Sequence, residues 1–220
     1  MLNVSKSAKY WEKANLSLII KMLSELHFEE LLTFKEVDKV IRKGKTENRF
    51  FEERLVLETD NANWTLDVRR SVWGMMLIDE DSVTRDGDAP LEAVQFLLDI
   101  QSLIHINDIH LSGFIEEIQQ TLYADYICLL NSEAYTAEDL VLMNDIVRQR
   151  YLSSHPKALA NKGRLGWGKD AIELYAPESA KPIHLHCFAV KKKQPKLGFK
   201  IGSLKALFGR KPLVNASGKG

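Results

Sequence analysis

One short stretch of this chain carries residue types that are suited to binding an anion. Lys162 and Arg164 are separated by a single residue inside a glycine-rich run, and His155 lies shortly before them. A guanidinium offers a planar fork to phosphate or carboxylate, a lysine offers a mobile point charge, and a histidine can donate to a phosphoryl oxygen. The stretch therefore predicts a grip for a polyphosphate or a carboxylate, although a solvated basic surface loop has a similar composition.

The glycines of this stretch do not follow the two common phosphate-binding patterns. Neither GxxxxGK[ST] nor GxGxxG occurs here. A Tyr-Ala-Pro-Glu step at residues 175–178 follows the basic residues, and an apolar, strand-like segment covers residues 183–190. The order of these features, rather than any one of them, distinguishes the stretch.

This order resembles the signature of the IucA/IucC family, the siderophore synthetases that work independently of nonribosomal peptide synthetases. The family signature runs His-Pro-x-His-Pro-x-x-Lys-x-Arg-x-Gly-Phe, then Tyr-x-Pro-Glu, then a strand that ends in Ala-Val and basic residues. The second His-Pro pair falls at Ala158 and Leu159, so this chain lacks it. The matching positions are His155, Pro156, Lys162, Arg164, Gly166, Trp167 (in place of Phe), Tyr175, Pro177, Glu178, Ala189 and Val190.

The resemblance implies an ATP-dependent acid–amine ligase of siderophore biosynthesis. Family members use ATP and Mg²⁺ to convert a carboxylate of citrate or a related polycarboxylic acid into an acyl-adenylate, which an amine or hydroxyl then attacks. By this resemblance His155, Lys162 and Arg164 would bind the nucleotide, while no catalytic residue is assigned. Mg²⁺ would bridge phosphate oxygens with few protein ligands, so no compact metal motif is expected.

The resemblance also concerns the extent of the chain. Family enzymes are much longer, so it implies that this chain corresponds to their N-terminal part and is an incomplete fragment. A complementing C-terminal chain or a homodimer would then complete the enzyme. The predicted regions are an N-terminal helical and β domain at 1–150, the start of an ATP-binding region at 151–192, and a basic, mobile tail at 193–220.

The rest of the chain predicts the elements that position this stretch, and together they indicate an α+β fold. Periodic apolar residues predict a first helix, alternation at Trp64, Leu66 and Val68 predicts a half-buried strand, and Pro156 requires the preceding helix to end by His155. The predicted order is a helix capped by Ser5 or Ser7 and running to Leu32, strands within 49–58, 64–68 and 72–78, helices from Pro90, from Asn107 to Leu130 and from Thr136 to Tyr151, and the start of a nucleotide-binding sheet.

Composition and charge limit the classes of protein. Hydrophobic residues make up 45% and charged residues 27% of the chain, as in globular proteins. Only two cysteines occur, no secretory leader is evident, and no apolar run reaches the roughly 18 residues of a membrane span. We therefore expect a cytoplasmic protein without a membrane partner.

Two alternatives remain open at this stage. The net charge is zero, but residues 188–220 hold only basic charges, so the tail of an acidic body could bind nucleic acid or another anionic surface without catalysis. Aromatic residues are sparse in that tail, and so base stacking has little support and no nucleic-acid partner is expected. His184, His186 and Cys187 could also be metal ligands, but we interpret them as residues of a polar strand face.

Overall fold

The computed structural model describes residues 4–43, 50–148, 150–152, 155, 157–179 and 181, all within the unit Met1–Ile183. It confirms the α+β class: a long helix precedes an antiparallel sheet, and further helices follow. The predicted start of a nucleotide-binding sheet lies outside the described residues. The elements are α1 (Val4–Phe28), β1 (Lys35–Lys43), β2 (Phe50–Glu58), β3 (Asn63–Arg70), β4 (Met76–Ile78), β5 (Thr84–Arg85), α2 (Ala93–Ile100), α3 (Asp108–Ser132), α4 (Ala137–Leu142), α5 (Asp145–Arg148), α6 (Lys169–Tyr175) and a 3₁₀ turn (Pro177–Ser179).

The sheet has five strands in the order β1-β2-β3-β4, and β5 pairs with the other end of β3. Leu55 of β2 lies opposite Leu66 of β3 in an antiparallel register. Trp64, Leu66 and Val68 are all fully buried, as their alternation predicts. The sheet therefore turns one apolar face toward the helices.

Helices α1 and α2 cover that face. Ile19, Met22 and Leu23 of α1 are fully buried, and Phe96 of α2 meets Trp64 edge to face with ring centroids 5.0 Å apart. Each such side chain contributes about 1.5–3 kcal/mol by leaving water. Helix α3 packs against both α1 and α2, so the core joins all three helices to the sheet.

A network around Asp99 ties α2 to the sheet. The Asp99 carboxylate, which is 1% exposed, accepts from Trp64 Nε1 at 3.0 Å, from Arg85 Nε at 2.7 Å and Nη2 at 3.1 Å, and from Gln95 Nε2 at 2.9 Å. The remaining Arg85 nitrogen, Nη1, donates to the carbonyl of Asp86. Burial alone would raise the pKa of Asp99, but the hydrogen bonds from Arg85, Gln95 and Trp64 outweigh it and the pKa is lowered.

Several predicted boundaries were wrong at the N-terminal half. Helix α1 ends at Phe28 rather than Leu32, because Glu30 adopts a left-handed conformation (φ 61°). It begins at Val4, so Ser7 lies inside it and shares a hydrogen bond with Tyr126 instead of capping. The strand predicted over 72–78 is formed only from Met76 onward, since the preceding residues form an exposed hairpin turn.

The helical half departs less from the prediction. Helix α3 begins after its cap Asn107, as predicted, and ends at Ser132. Thr136 and Asp139 form the predicted capping box, but the third helix is interrupted after Leu142 instead of running to Tyr151. Pro90 precedes α2, which begins at Ala93. Among the described residues, none of the helices combines the length and the apolar character needed to cross a bilayer.

Candidate functional site

Helix α3 is the platform on which the predicted binding stretch lies. We call residues 157–168 the motif loop. The backbone N–H of Lys162 donates to Thr121 Oγ1 at 3.3 Å, and the backbone N–H of Arg164 donates to Gln120 Oε1. Gln120, Thr121 and Glu117 lie three or four residues apart, so they share one face of the helix.

Gly163 brings the motif loop directly onto that face. A Cβ at this position would lie 2.8 Å from Glu117 Cβ and 3.1 Å from the carbonyl oxygen of Ala160. Real carbon atoms do not approach so closely, so any larger residue would push the loop away from α3. A glycine is therefore required here by close approach.

Lys162 is buried beneath the motif loop. Its Nζ lies 2.7 Å from Asp125 Oδ1, 3.2 Å from Cys128 Sγ and 3.9 Å from Glu178 Oε1. Burial alone would lower the pKa of Lys162, but the attraction of Asp125 and Cys128 outweighs it and the pKa is raised. Burial also raises the pKa of the Cys128 thiol, so this residue stays protonated at neutral pH. Lys162 is thus a buried ammonium held by a carboxylate and a thiol.

Arg164 reaches the other side of the same cluster. Its Nη2 donates to both carboxylate oxygens of Glu178, at 2.9 and 3.1 Å, and the guanidinium lies over the ring of Trp167 at 5.6 Å. Its Nη1 is buried and has no hydrogen-bond partner among the described residues. We call Asp125, Cys128, Lys162, Arg164 and Glu178 the motif cluster, in which two cations face two carboxylates.

Helix α6 and the 3₁₀ turn are anchored to α3 as well. Asn131 Nδ2 donates to the carbonyl oxygen of Glu178 at 2.7 Å, and the Tyr123 hydroxyl donates to Glu173 Oε1 at 2.8 Å. Burial, together with this bond to Glu173, raises the pKa of Tyr123 to about 12. These contacts fix the position of the Glu178 carboxylate relative to Arg164.

His155 lies outside the motif cluster. Its exposed ring accepts hydrogen bonds at Nδ1 from the backbone N–H groups of Lys157 (3.2 Å) and Ala158 (3.0 Å). A neutral imidazole that accepts at Nδ1 carries its proton at Nε2, so His155 can act there as a donor. Lys21 of α1 fixes this turn by donating to the carbonyl oxygens of His155 at 2.7 Å and Ala158 at 2.5 Å.

A cavity of about 440 Å³ lies beside this turn. His155 and Asp125 form part of its wall, so it runs from the His155 turn to the carboxylate that holds Lys162. The remaining wall comes from α1 and from strands β2, β3 and β4. The structure therefore brings Lys162 and Arg164 into one cluster and places His155 at an adjoining cavity.

Several residues of the site were missed from the sequence. Asp125 and Cys128 occupy one face of α3, Lys21 lies on α1, and none of them stands near the motif in the chain. Asn161 precedes Lys162, and both its amide nitrogen and oxygen are buried without a hydrogen-bond partner among the described residues. The one available signal was the spacing of Asp125 and Cys128, which places them on one helical face.

A metal site is not formed by the described part of the chain, where no group of three or more His, Cys, Asp and Glu residues could hold an ion. His184, His186 and Cys187 lie outside the described residues, as does the basic tail.

The comparisons with known proteins agree with the predicted resemblance. The IucA / IucC family profile matches residues 146–203, which include the whole motif loop. An aerobactin synthase of Escherichia coli is 33% identical over 184 residues, which are 84% of this chain and 29% of that protein. A putrebactin synthase of Shewanella is 24% identical over 84% of this chain and 28% of its own length.

A solved structure supports the same relation. The aerobactin synthetase IucC from a hypervirulent Klebsiella pneumoniae superposes with a TM-score of 0.65 at 30% identity, over 78% of this chain and 29% of that one. The predicted resemblance and the α+β fold are therefore confirmed. The chain spans less than a third of the length of these relatives.

Proposed function

Because the chain belongs to the IucA/IucC family, we propose that it serves siderophore biosynthesis as part of an ATP-dependent acid–amine ligase. The reaction condenses a citrate-like polycarboxylic acid with an amine or a hydroxyl in the cytoplasm. The names of the relatives agree with this: they include aerobactin and putrebactin synthases and a citryl-spermidine:spermidine ligase of Bacillus anthracis. Nucleotide binding is the part of this activity that the described residues support.

The observation that carries the proposal is the unused donor of Arg164. Glu178 occupies only Nη2, while the buried Nη1 has no partner among the described residues. A buried donor without a partner costs about 1–3 kcal/mol, so a group that accepts from it gains that amount back. Phosphate oxygens accept strongly from a guanidinium. Arg164 can thus hold Glu178 and a phosphate oxygen at the same time.

Lys162 and His155 have different parts in this grip. Lys162 is 5% exposed and already faces Asp125, so it contributes a fixed positive charge behind the site. His155 presents Nε2–H from an exposed turn, where it can donate to an oxygen of the ligand. The donor set therefore fits a nucleotide phosphate, with Arg164 and His155 in contact and Lys162 as the buried charge.

ATP would supply the activation of the carboxylate, since adenylation converts a poor leaving group into a good one. Mg²⁺ would be held mainly by the phosphate oxygens. The residues of this chain bind and orient the phosphates and offset their charge.

The remaining parts of the active site belong to a longer assembly. The chain covers 29% of the aerobactin synthase that it matches. In this proposal, residues 1–150 form the N-terminal domain, residues 151–192 begin the ATP-binding region, and residues 193–220 form a basic tail. The carboxylate and amine pockets are then completed by a C-terminal chain or by a second copy.

Calorimetry with Mg-ATP tests the nucleotide grip. We expect Arg164→Ala to bind at least about tenfold more weakly than the wild type, because it removes a charge-assisted hydrogen bond worth about 1.5–3 kcal/mol. Arg70→Ala is the matched control, since Arg70 pairs with Glu53 at the surface of the sheet. Equal affinity in the Arg164 variant, or no binding by the folded wild type, would contradict the proposal.

A variant lacking residues 191–220 separates this function from a non-enzymatic anion-binding module. The ligase proposal expects the shortened chain to keep its Mg-ATP affinity. If binding is lost with the tail and survives in Arg164→Ala, the tail rather than the motif cluster binds the anion.

A further inference from the structure

The cavity beside the His155 turn holds charged groups that the proposed nucleotide grip does not use. Helix α1 forms one wall with Lys21 and Glu25, and the sheet forms another with Arg69 of β3 and the apolar side chains of Met76 and Ile78. At about 440 Å³ the space is large enough for a small metabolite.

Arg69 brings an unsatisfied donor to this cavity. Its Nε is buried and has no hydrogen-bond partner among the described residues. Neighbouring Arg70 points to the opposite face of the strand and pairs with Glu53, so the two arginines differ in environment although they are adjacent. A buried guanidinium donor of this kind calls for an acceptor that carries negative charge.

Glu25 brings a charge of the opposite sign from the other wall. It is 9% exposed, and no hydrogen bond or ion pair joins its side chain to another residue in the described part of the chain. It does not pair with Arg69 across the cavity. A buried carboxylate without a partner is costly, and an ammonium group is its natural complement.

Lys21 limits what else can enter. Two of its three donors are taken by the carbonyl oxygens of His155 and Ala158, and burial lowers its pKa. Glu25 and Asp125 would repel a triphosphate from the same wall. The cavity is therefore unsuited to the nucleotide and differs from the motif cluster in charge.

We propose that this cavity binds a small zwitterion, with an ammonium group at Glu25, a carboxylate at Arg69, and an apolar chain along Met76 and Ile78. The class of ligand follows from the two separated, unpaired charges and the apolar wall between them. Within the ligase, this zwitterion is the amine that attacks the activated acid, and that role alone rests on the proposed function.

Calorimetry without nucleotide tests the site. The probes are glycine, γ-aminobutyrate, ε-aminocaproate and lysine, with pentylamine and hexanoate as analogues that carry one charge. We expect one chain length to bind at least about tenfold more tightly than either single-charge analogue, and that length measures the span between the two charges. No preference for any zwitterion would overturn the proposal.

Two substitutions assign the ends of the ligand. Arg69→Gln should reduce the affinity for the best zwitterion to that for pentylamine, and Glu25→Gln should reduce it to that for hexanoate. Arg70→Gln and the exposed Glu12→Gln are the matched controls on the same strand and helix, and they should bind as the wild type does.

A stability measurement guards against variants that bind poorly because they unfold. Both cavity variants remove an unpaired buried charge, so their melting temperatures should equal or exceed that of the wild type. Wild-type affinity in both variants would overturn the proposal. Failure of the nucleotide grip would appear separately, as absent Mg-ATP binding with zwitterion binding intact.

Discussion

The network around Asp99 and the motif cluster are both buried sets of ion pairs, but they differ in how completely their hydrogen bonds are made. All four bonds to the Asp99 carboxylate come from side chains of the core, and each nitrogen of Arg85 has an acceptor. In the motif cluster, Arg164 Nη1 and the neighbouring amide of Asn161 have none among the described residues.

The difference separates a structural role from a binding role. A closed network leaves no donor for a ligand, and its desolvation cost is offset entirely within the protein. An open network keeps an unfavourable group that only a further partner can satisfy. The comparison therefore assigns the Asp99 network to stability and the motif cluster to binding.

The largest expected effect is that of breaking the closed network. Asp99→Asn places an amide N–H among converging donors and leaves the Arg85 charge uncompensated, which should cost about 3–5 kcal/mol in urea unfolding. Affinity for Mg-ATP in the folded fraction should not change. A loss of nucleotide affinity at full occupancy of the folded state would remove the distinction between the two networks.

The same network predicts an acid dependence. Because the folded pKa of Asp99 lies below its ordinary value, its contribution to stability is present above pH about 4 and is lost as the pH falls through the folded pKa. Asp99→Asn should lack this part of the acid loss.

Glu178→Gln sharpens the comparison from the other side. It removes a charge-assisted contact to Arg164 and should cost about 2 kcal/mol of stability. It also leaves the motif cluster with two cations against the single carboxylate of Asp125, so Mg-ATP should bind more tightly by calorimetry. If binding weakens instead, the cluster behaves as a closed structural network.

The smallest effect concerns the packing that holds the motif loop on α3. Gly163→Ala should lower stability by about 1–2 kcal/mol, because the new Cβ overlaps Glu117. Gly168→Ala is its matched control, since no atom lies within 4 Å of the added carbon and the backbone φ of −76° suits alanine. Thermal unfolding of the two variants gives the difference, and equal melting temperatures would contradict the close approach.

Local patterns predicted the elements whose side chains alternate or recur with a regular period. Trp64, Leu66 and Val68 gave the third strand, and Asn107 gave the start of α3. Strand β1 was missed because its nine residues, KEVDKVIRK, lack a buried alternating face, and its conformation comes from pairing with β2. The exposed turn at Val72 and Trp73 was taken for a strand because apolar composition does not report exposure.

By itself, the sequence determined the family, the fold class, and the identity of the residues in the motif. It could do so because residue types at fixed spacing are a local property of the chain. Only the tertiary structure decided that Lys162 is buried against Asp125, that Arg164 keeps a donor without a partner, and that Glu25 and Arg69 share a cavity. These contacts join distant elements, and they depend on how α1, α3 and the sheet pack, which no short stretch of sequence specifies.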